Sequence, residues 1–210
     1  KIVKSIVISS PITGISANLD TAADEAFASR MMGDGAIVTP TDEIVVAPDD
    51  GEIIFVFDTK HAVGFTTKDG ISMIIHIGID TVKLGGQGFS VLVKAGDKMK
   101  KGDTIMKLDL EYLKQNAPSV ASPVICTELA DNQKIRLVAE GKIVPNDTKK
   151  DGDVDPGKVA GEEIFTLNKP ESGDVQGKIV ASGNATDIRT EILYHIFARM
   201  SRSFENNSYV

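Results

Sequence analysis

Short β-branched runs, each stopped by Gly, Pro, Asp or Asn, recur through the first two-thirds of the chain. They are IVKSIVI (2–8), AIVTP (36–40), EIVVAP (43–48), GEIIFVF (51–57), SMIIHI (72–77) and GFSVLV (88–93). Such side chains fit a pleated, half-buried surface, and turn residues at this interval leave little room for helices. The pattern predicts an all-β fold, a sandwich or a closed, barrel-like sheet arrangement. TAADEAFASRM (21–31) is the one early stretch of helical composition; KAGDKMKKGD (94–103) reads as two charged Gly-Asp turns, and EYLKQNA (111–117) as a short helix. Residues 145–161 are polar and turn-rich, as in an exposed loop or linker, and the strand-like EEIFTL (162–167) follows. Beyond Pro170 the composition changes again. Ile188, Ile192, Ile196 and Met200, with Phe197 and Phe204, recur at helical spacing, which predicts an amphipathic helix over 187–204 with Thr186 or Asp187 as N-cap. The chain thus divides into a body, 1–169, and a tail, 170–210.

At 210 residues the chain can bury a substantial core without staples, and its single cysteine, Cys126, excludes an internal disulfide. It shows no signal-peptide pattern and no apolar run long enough to span a bilayer, which places the expectation on a soluble cytoplasmic domain. A formal charge of −7 and a pI near 5.0 argue against non-specific nucleic-acid binding and suit a partner with a basic surface. Starting at Lys1 rather than methionine fits a domain taken from a longer protein.

The stretch MIIHIGID (73–80) sets a histidine inside an apolar strand. Alternation puts Met73, Ile75, Ile77 and Ile79 on one face, a core face, and Ile74, His76, Gly78 and Asp80 on the other. A second histidine closes VFDTKHAVGF (56–65), where Phe57, Thr59 and His61 would point the same way. Taken singly, each is readily a histidine bonded to a backbone carbonyl or exposed in a turn. As a pair, each with a polar neighbour at period-two spacing, they suggest a joint site.

Three chemistries use two imidazoles. Zinc hydrolysis would take ligands from His76 and Asp80, whose H-x-x-x-D spacing occurs in lysostaphin-like metallopeptidases, but the H-x-H pair those enzymes need is missing and His195 lies in the tail. General acid/base catalysis on a small substrate lacks a pocket signature. Phosphoryl transfer would use one imidazole as nucleophile and the other as hydrogen-bond donor to the phosphoryl oxygens.

The succession VFDTKHAVGF, GISMIIHIGIDTVKLGGQGF and GDKMKKGDTIMKLDL resembles the glucose-type enzyme IIA of the bacterial phosphoenolpyruvate-dependent sugar phosphotransferase system. The likeness extends upstream through SPITGI, FASRMMGDGAIVTP and VAPDDGEI, and downstream through VASPVI (120–125) and KVAGEEIFTL (158–167). The resemblance implies a barrel-sandwich of the duplicated hybrid motif kind. It implies His76 as phosphoacceptor, His61 as its neighbour and Thr59 as a supporting hydroxyl, with Gly78 and Asp80 completing H-x-G-x-D. It further implies a phosphocarrier that takes phosphate from the histidine phosphocarrier protein and passes it to an enzyme IIB domain, with no organic cofactor; no carboxylate cluster calls for Mg²⁺, although two adjacent imidazoles could take up zinc adventitiously or at a partner interface. Phe57, Ile74 and Val82 are the expected apolar docking rim. A regulatory module whose phosphorylation state controls a protein partner would use the same site. Residues 145–157 are longer than the family's approach to its last strand, and 170–210 match nothing in it; a linker or a docking helix would suit them.

Overall fold

The computed structural model describes residues 4–129, 135–137, 143–144 and 163–169. They belong to one compact unit, Lys1–Lys169. The strands are β1 (Lys4–Ser9), β2 (Ile12–Asn18), β3 (Asp34–Val46), β4 (Gly51–Val56), β5 (Ala62–Thr67), β6 (Ser72–His76), β7 (Phe89–Val91), β8 (Lys98–Met99), β9 (Thr104–Leu108), β10 (Ser122–Cys126), β11 (Ile135–Leu137), β12 (Ile143–Val144) and β13 (Glu163–Lys169). Two short helices interrupt them, α1 (Glu25–Ala28) and α2 (Leu110–Asn116).

The main sheet runs β12-β2-β3-β10-β6-β5-β4-β8, and β9 joins β3 to β7; β1, β13 and β11 form a separate three-stranded sheet. Every described pairing is antiparallel. The expected all-β class stands, with differences in detail. Residues 36–40 and 43–48 are not two strands, since residues 34–46 form the single strand β3, whose exposed Thr41–Glu43 stretch stays extended between a half that pairs with β10 and a half that pairs with β9. Of the helical-looking 21–31 only Glu25–Ala28 is α-helical, started by the Asp24 carboxylate accepting from Ala26 N at 2.8 Å. The loop expected at 145–157, the helix expected at 187–204 and His195 lie outside the described residues.

The alternation read from the sequence positions the core. Met73, Ile75 and Ile77 join Val63, Phe65, Val124 and Cys126 in one apolar cluster. Fully burying side chains of this size stabilises by about 1.5–3 kcal/mol each. The opposite face of the same strands carries Ala62, Ile74, His76 and Ile125, and it too is covered, with Phe27 of α1 laid against it. A sheet buried on both faces explains why the strands are almost continuously apolar.

Candidate active site

Strand register brings the two histidines together. Ala62 pairs with His76 across β5 and β6, and Ile77 N donates to His61 O at 2.8 Å where the two strands end. The imidazole centroids lie 4.8 Å apart, the rings 77° from coplanar. His76 Nδ1 is 2.9 Å from the carbonyl oxygen of Gly78. A carbonyl only accepts, so the proton sits on Nδ1 and the lone pair of His76 is left on Nε2. His61 Nδ1 lies 2.7 Å from Thr59 Oγ1, while its Nε2 is buried with no partner among the described residues. If Thr59 donates, that Nε2 carries a proton with nothing to receive it, the kind of unpaired buried group that an incoming acceptor satisfies.

Aromatic rings wall the pair. The Phe27 ring meets His76 edge-on at 5.1 Å, Phe57 lies 5.1 Å from His61, and Phe55 meets Phe57 edge-on at 5.2 Å. Phe57 also begins the turn that delivers His61, its carbonyl accepting from Lys60 N at 2.7 Å. This setting decides the charge state. Burial pushes His61 down to about 4. Burial, and then repulsion from His61, push His76 down to about 3 against the opposing pull of the Gly78 carbonyl. Both rings are therefore neutral at neutral pH, and a neutral ring is a nucleophile.

The backbone after β6 is tightly held. Gly78 has φ 70, and a Cβ there would come within 2.7 Å of Thr81 Cγ2 and 2.8 Å of Ser119 O. Asp80 follows in the left-handed region at φ 58, its carboxylate bonded to Lys83 Nζ at 2.9 Å.

Of the residues expected from sequence, His76, His61, Thr59 and Gly78 are brought together, as two hydrogen-bonded pairs, Thr59 with His61 and Gly78 with His76, joined by the edge-on contact of the two rings. Asp80 lies next to it but turns its carboxylate to Lys83. Phe57 is half-buried against His61, and Val82 is half-buried in the short 3-10 turn Thr81–Leu84. Ile74 corrects the expected rim: it is 1% exposed, pressed between Gly64 on β5 and Ile125 on β10, and offers a partner no surface. Sharing a strand face with His76 did not make it accessible, because that face is itself covered. Phe27 escaped the sequence reading, since only tertiary folding carries α1 to β6. The zinc reading requires a third ligand, and among the described residues no group of three or more His, Cys, Asp and Glu could hold a metal ion.

Comparison with known proteins identifies the family. Residues 6–132 match the profile of the phosphoenolpyruvate-dependent sugar phosphotransferase system, EIIA 1. The glucose-specific EIIA component of Staphylococcus epidermidis is 41% identical over 146 residues, covering 70% of this chain and 88% of that protein. The N-acetylglucosamine-specific EIICBA component of Klebsiella pneumoniae is 45% identical over 148 residues, 70% of this chain but only 22% of the relative's length. The chain thus spans about a fifth of such multidomain relatives. Among solved structures, glucose permease IIA from Mycoplasma capricolum superposes with a TM-score of 0.62 at 32% identity, over 78% of this chain and 96% of that one. Among the described residues no helix is long and apolar enough to cross a membrane. With the family profile matched over most of the body and the paired imidazoles in place, the chain belongs to the glucose-type EIIA family of the sugar phosphotransferase system.

Proposed function

We propose that this domain is a cytoplasmic phosphocarrier that accepts a phosphoryl group on His76 Nε2 from the histidine phosphocarrier protein and passes it to an enzyme IIB domain during sugar uptake. The observation that carries the reading is the arrangement of nitrogens at the ring pair: Nδ1 of His76 is taken by the Gly78 carbonyl, which leaves Nε2 nucleophilic, and Nδ1 of His61 faces Thr59, whose hydroxyl, when it donates there, makes His61 Nε2 a donor.

The lone pair of His76 Nε2 attacks phosphorus while the nitrogen–phosphorus bond of the donor breaks, its electron pair returning to the donor's ring. The His76 ring becomes formally cationic, and its Nδ1–H then makes a charge-assisted bond to the Gly78 carbonyl. His61 Nε2–H donates to a phosphoryl oxygen and finds the partner it lacks at rest. The walls of Phe27, Phe55 and Phe57 keep water from the labile phosphoramidate. His76 is 6% exposed, so a donor can reach only an edge of the ring, which suffices because Nδ1 already faces inward. Phe57 and Val82 form the half-buried part of the rim on which either partner would dock.

Incubation with phosphoenolpyruvate, enzyme I and the phosphocarrier, followed by mapping of acid-labile phosphate, tests the reading. The label is expected on His76 and absent from His76→Ala. Full labelling of His76→Ala would refute it.

A further inference from the structure

We propose that Ser122 is a positioning residue for this transfer: its hydroxyl clamps the Gly78 backbone so that the Gly78 carbonyl holds the proton of His76 on Nδ1 and leaves Nε2 free. The inference rests on the phosphocarrier reading only for its kinetic consequence; the clamp itself is geometry.

Strands β10 and β6 are paired from Cys126↔Met73 to Val124↔Ile75, and there the backbone ladder ends. Two residues earlier on β10, where the ladder would next continue, Ser122 meets the chain leaving β6 with its side chain instead. Its Oγ accepts from Gly78 N at 3.1 Å and donates to Val120 O at 2.8 Å. A hydroxyl can do both at once, and alanine can do neither.

The peptide carrying the Gly78 carbonyl is bonded at both ends. Its oxygen accepts from His76 Nδ1, and its N–H, that of Ile79, donates to Ser119 O at 2.9 Å. The preceding peptide is held the same way, with the Gly78 N–H on Ser122 and the Ile77 carbonyl accepting from Thr81 Oγ1 at 2.5 Å. Ser122 and Thr81 are both 0% exposed, so neither hydroxyl meets a phosphoryl donor; they act through the backbone. Removing the Ser122 hydroxyl strands a buried N–H and frees one end of the segment whose carbonyl fixes the imidazole tautomer.

The test compares wild type, Ser122→Ala and Ser122→Thr by nitrogen-15 NMR of the His76 ring and by the rate of His76 labelling. Wild type and Ser122→Thr should show a protonated Nδ1 and a bare Nε2. Ser122→Ala should show both nitrogens moving toward averaged shifts and should label about tenfold more slowly. A purely structural role would lower the melting temperature and leave the tautomer alone. A full Nδ1–H signature in folded Ser122→Ala, or an unchanged labelling rate, overturns the proposal. Should Ser122→Ala fail to fold, Ser122→Cys, similar in size but a weak acceptor, carries the same comparison against Ser122→Thr. The ring spectrum needs no phosphodonor, so absent labelling of wild type would sink the phosphocarrier reading while leaving the tautomer result to judge the clamp.

Discussion

Two sets of turns in this domain solve the same backbone problem differently. At Lys94–Asp97 and Lys100–Asp103 the chain reverses through a glycine, Gly96 at φ 90 and Gly102 at φ 84. In each, an aspartate accepts from the lysine N–H that opens the turn, at 2.9 and 2.7 Å. The two glycine N–H groups bond Ile53 O and Ala47 O, so the turns dock side by side on the start of β4 and the end of β3. Beside the imidazoles, by contrast, Lys60 and Asp80 sit at φ 58, and Arg30, bonded to Asn18 and Asp34 beyond α1, has the same value; these are the only non-glycine residues with positive φ among those described. Each follows closely a residue that shapes the site: Phe27, Thr59 or Gly78. The remote turns meet the left-handed region with glycine alone, whereas the site combines a glycine, Gly78 at φ 70, with non-glycine residues held there, Lys60 before His61 and Asp80 after Gly78, as expected where geometry is held for function.

The sharpest way to break the comparison is to add one methyl group to each kind of turn. At Gly96 a Cβ would meet nothing within 4 Å, so Gly96→Ala pays only for its left-handed backbone, about 1 kcal/mol, with His76 labelling unchanged. At Gly78 the same methyl collides with Thr81 Cγ2 and Ser119 O and moves the carbonyl that binds His76. Gly78→Ala should cost about 3 kcal/mol or more and lose most labelling. Denaturant midpoints and labelling rates read both; equal losses at the two glycines would remove the distinction.

Acid should weaken the domain through this site. Both histidines are ordinary in the unfolded chain, at about 6.5, and depressed by burial in the folded one, to about 4 for His61 and about 3 for His76. The unfolded state therefore binds more protons once pH falls below about 6.5, and stability drops by about 1.4 kcal/mol per pH unit for each histidine until the folded values are reached. Above pH 6.5 this contribution is fully present and flat. Unfolding free energy measured from pH 7.5 to 4.5 should show this slope, and His61→Gln should roughly halve it. A slope unaltered by that change would show that His61 is not held neutral by its surroundings.

His61→Ala removes the donor nitrogen together with the ring packed between Phe57 and His76. The variant should fold, keep His76 and still be labelled, yet pass phosphate on poorly, since a hydrogen bond to a charged group is worth about 1.5–3 kcal/mol. Transfer at the wild-type rate would show that the unpaired Nε2 of His61 has no part in the step.

Much of this arrangement was legible in the sequence, for reasons that also mark where legibility stopped. Alternation in MIIHIGID identified Met73, Ile75 and Ile77 as core and set His76 opposite them, because the period of two is a local property of a strand. The same rule could not say what covers the opposite face, so Ile74 was expected on the rim and is buried. Thr59 and His61 meet as expected, but through the turn after β4 ends at Val56 rather than by strand alternation; the contact of Phe27 with His76 had no local signal, because it depends on where α1 docks. Strands β2, β5, β8, β9, β10, β11 and β12 were unread: ITGISAN and AVGFTT are broken by glycine, SPVIC carries a proline, TIMKL is brief beside a charged turn, and the other three are two or three residues long. Ser122 stayed hidden because a buried hydroxyl replacing a ladder bond has no local pattern.

The smallest expected effect tests whether the strain is real. Lys60 is exposed and holds φ 58 between Thr59 and His61, a conformation that costs a non-glycine residue about 1–2 kcal/mol. Lys60→Gly removes that cost but adds freedom to the unfolded chain, which takes back about 0.4–1 kcal/mol. A net gain of about 0.5 kcal/mol should remain, seen as a slightly higher melting temperature. Lys60→Asn should gain about as much, because asparagine tolerates the left-handed region without glycine's entropy. If neither variant is more stable than wild type, the turn that delivers His61 stores no strain, and the contrast with the glycine turns at Gly96 and Gly102 reduces to a choice of residue without energetic meaning.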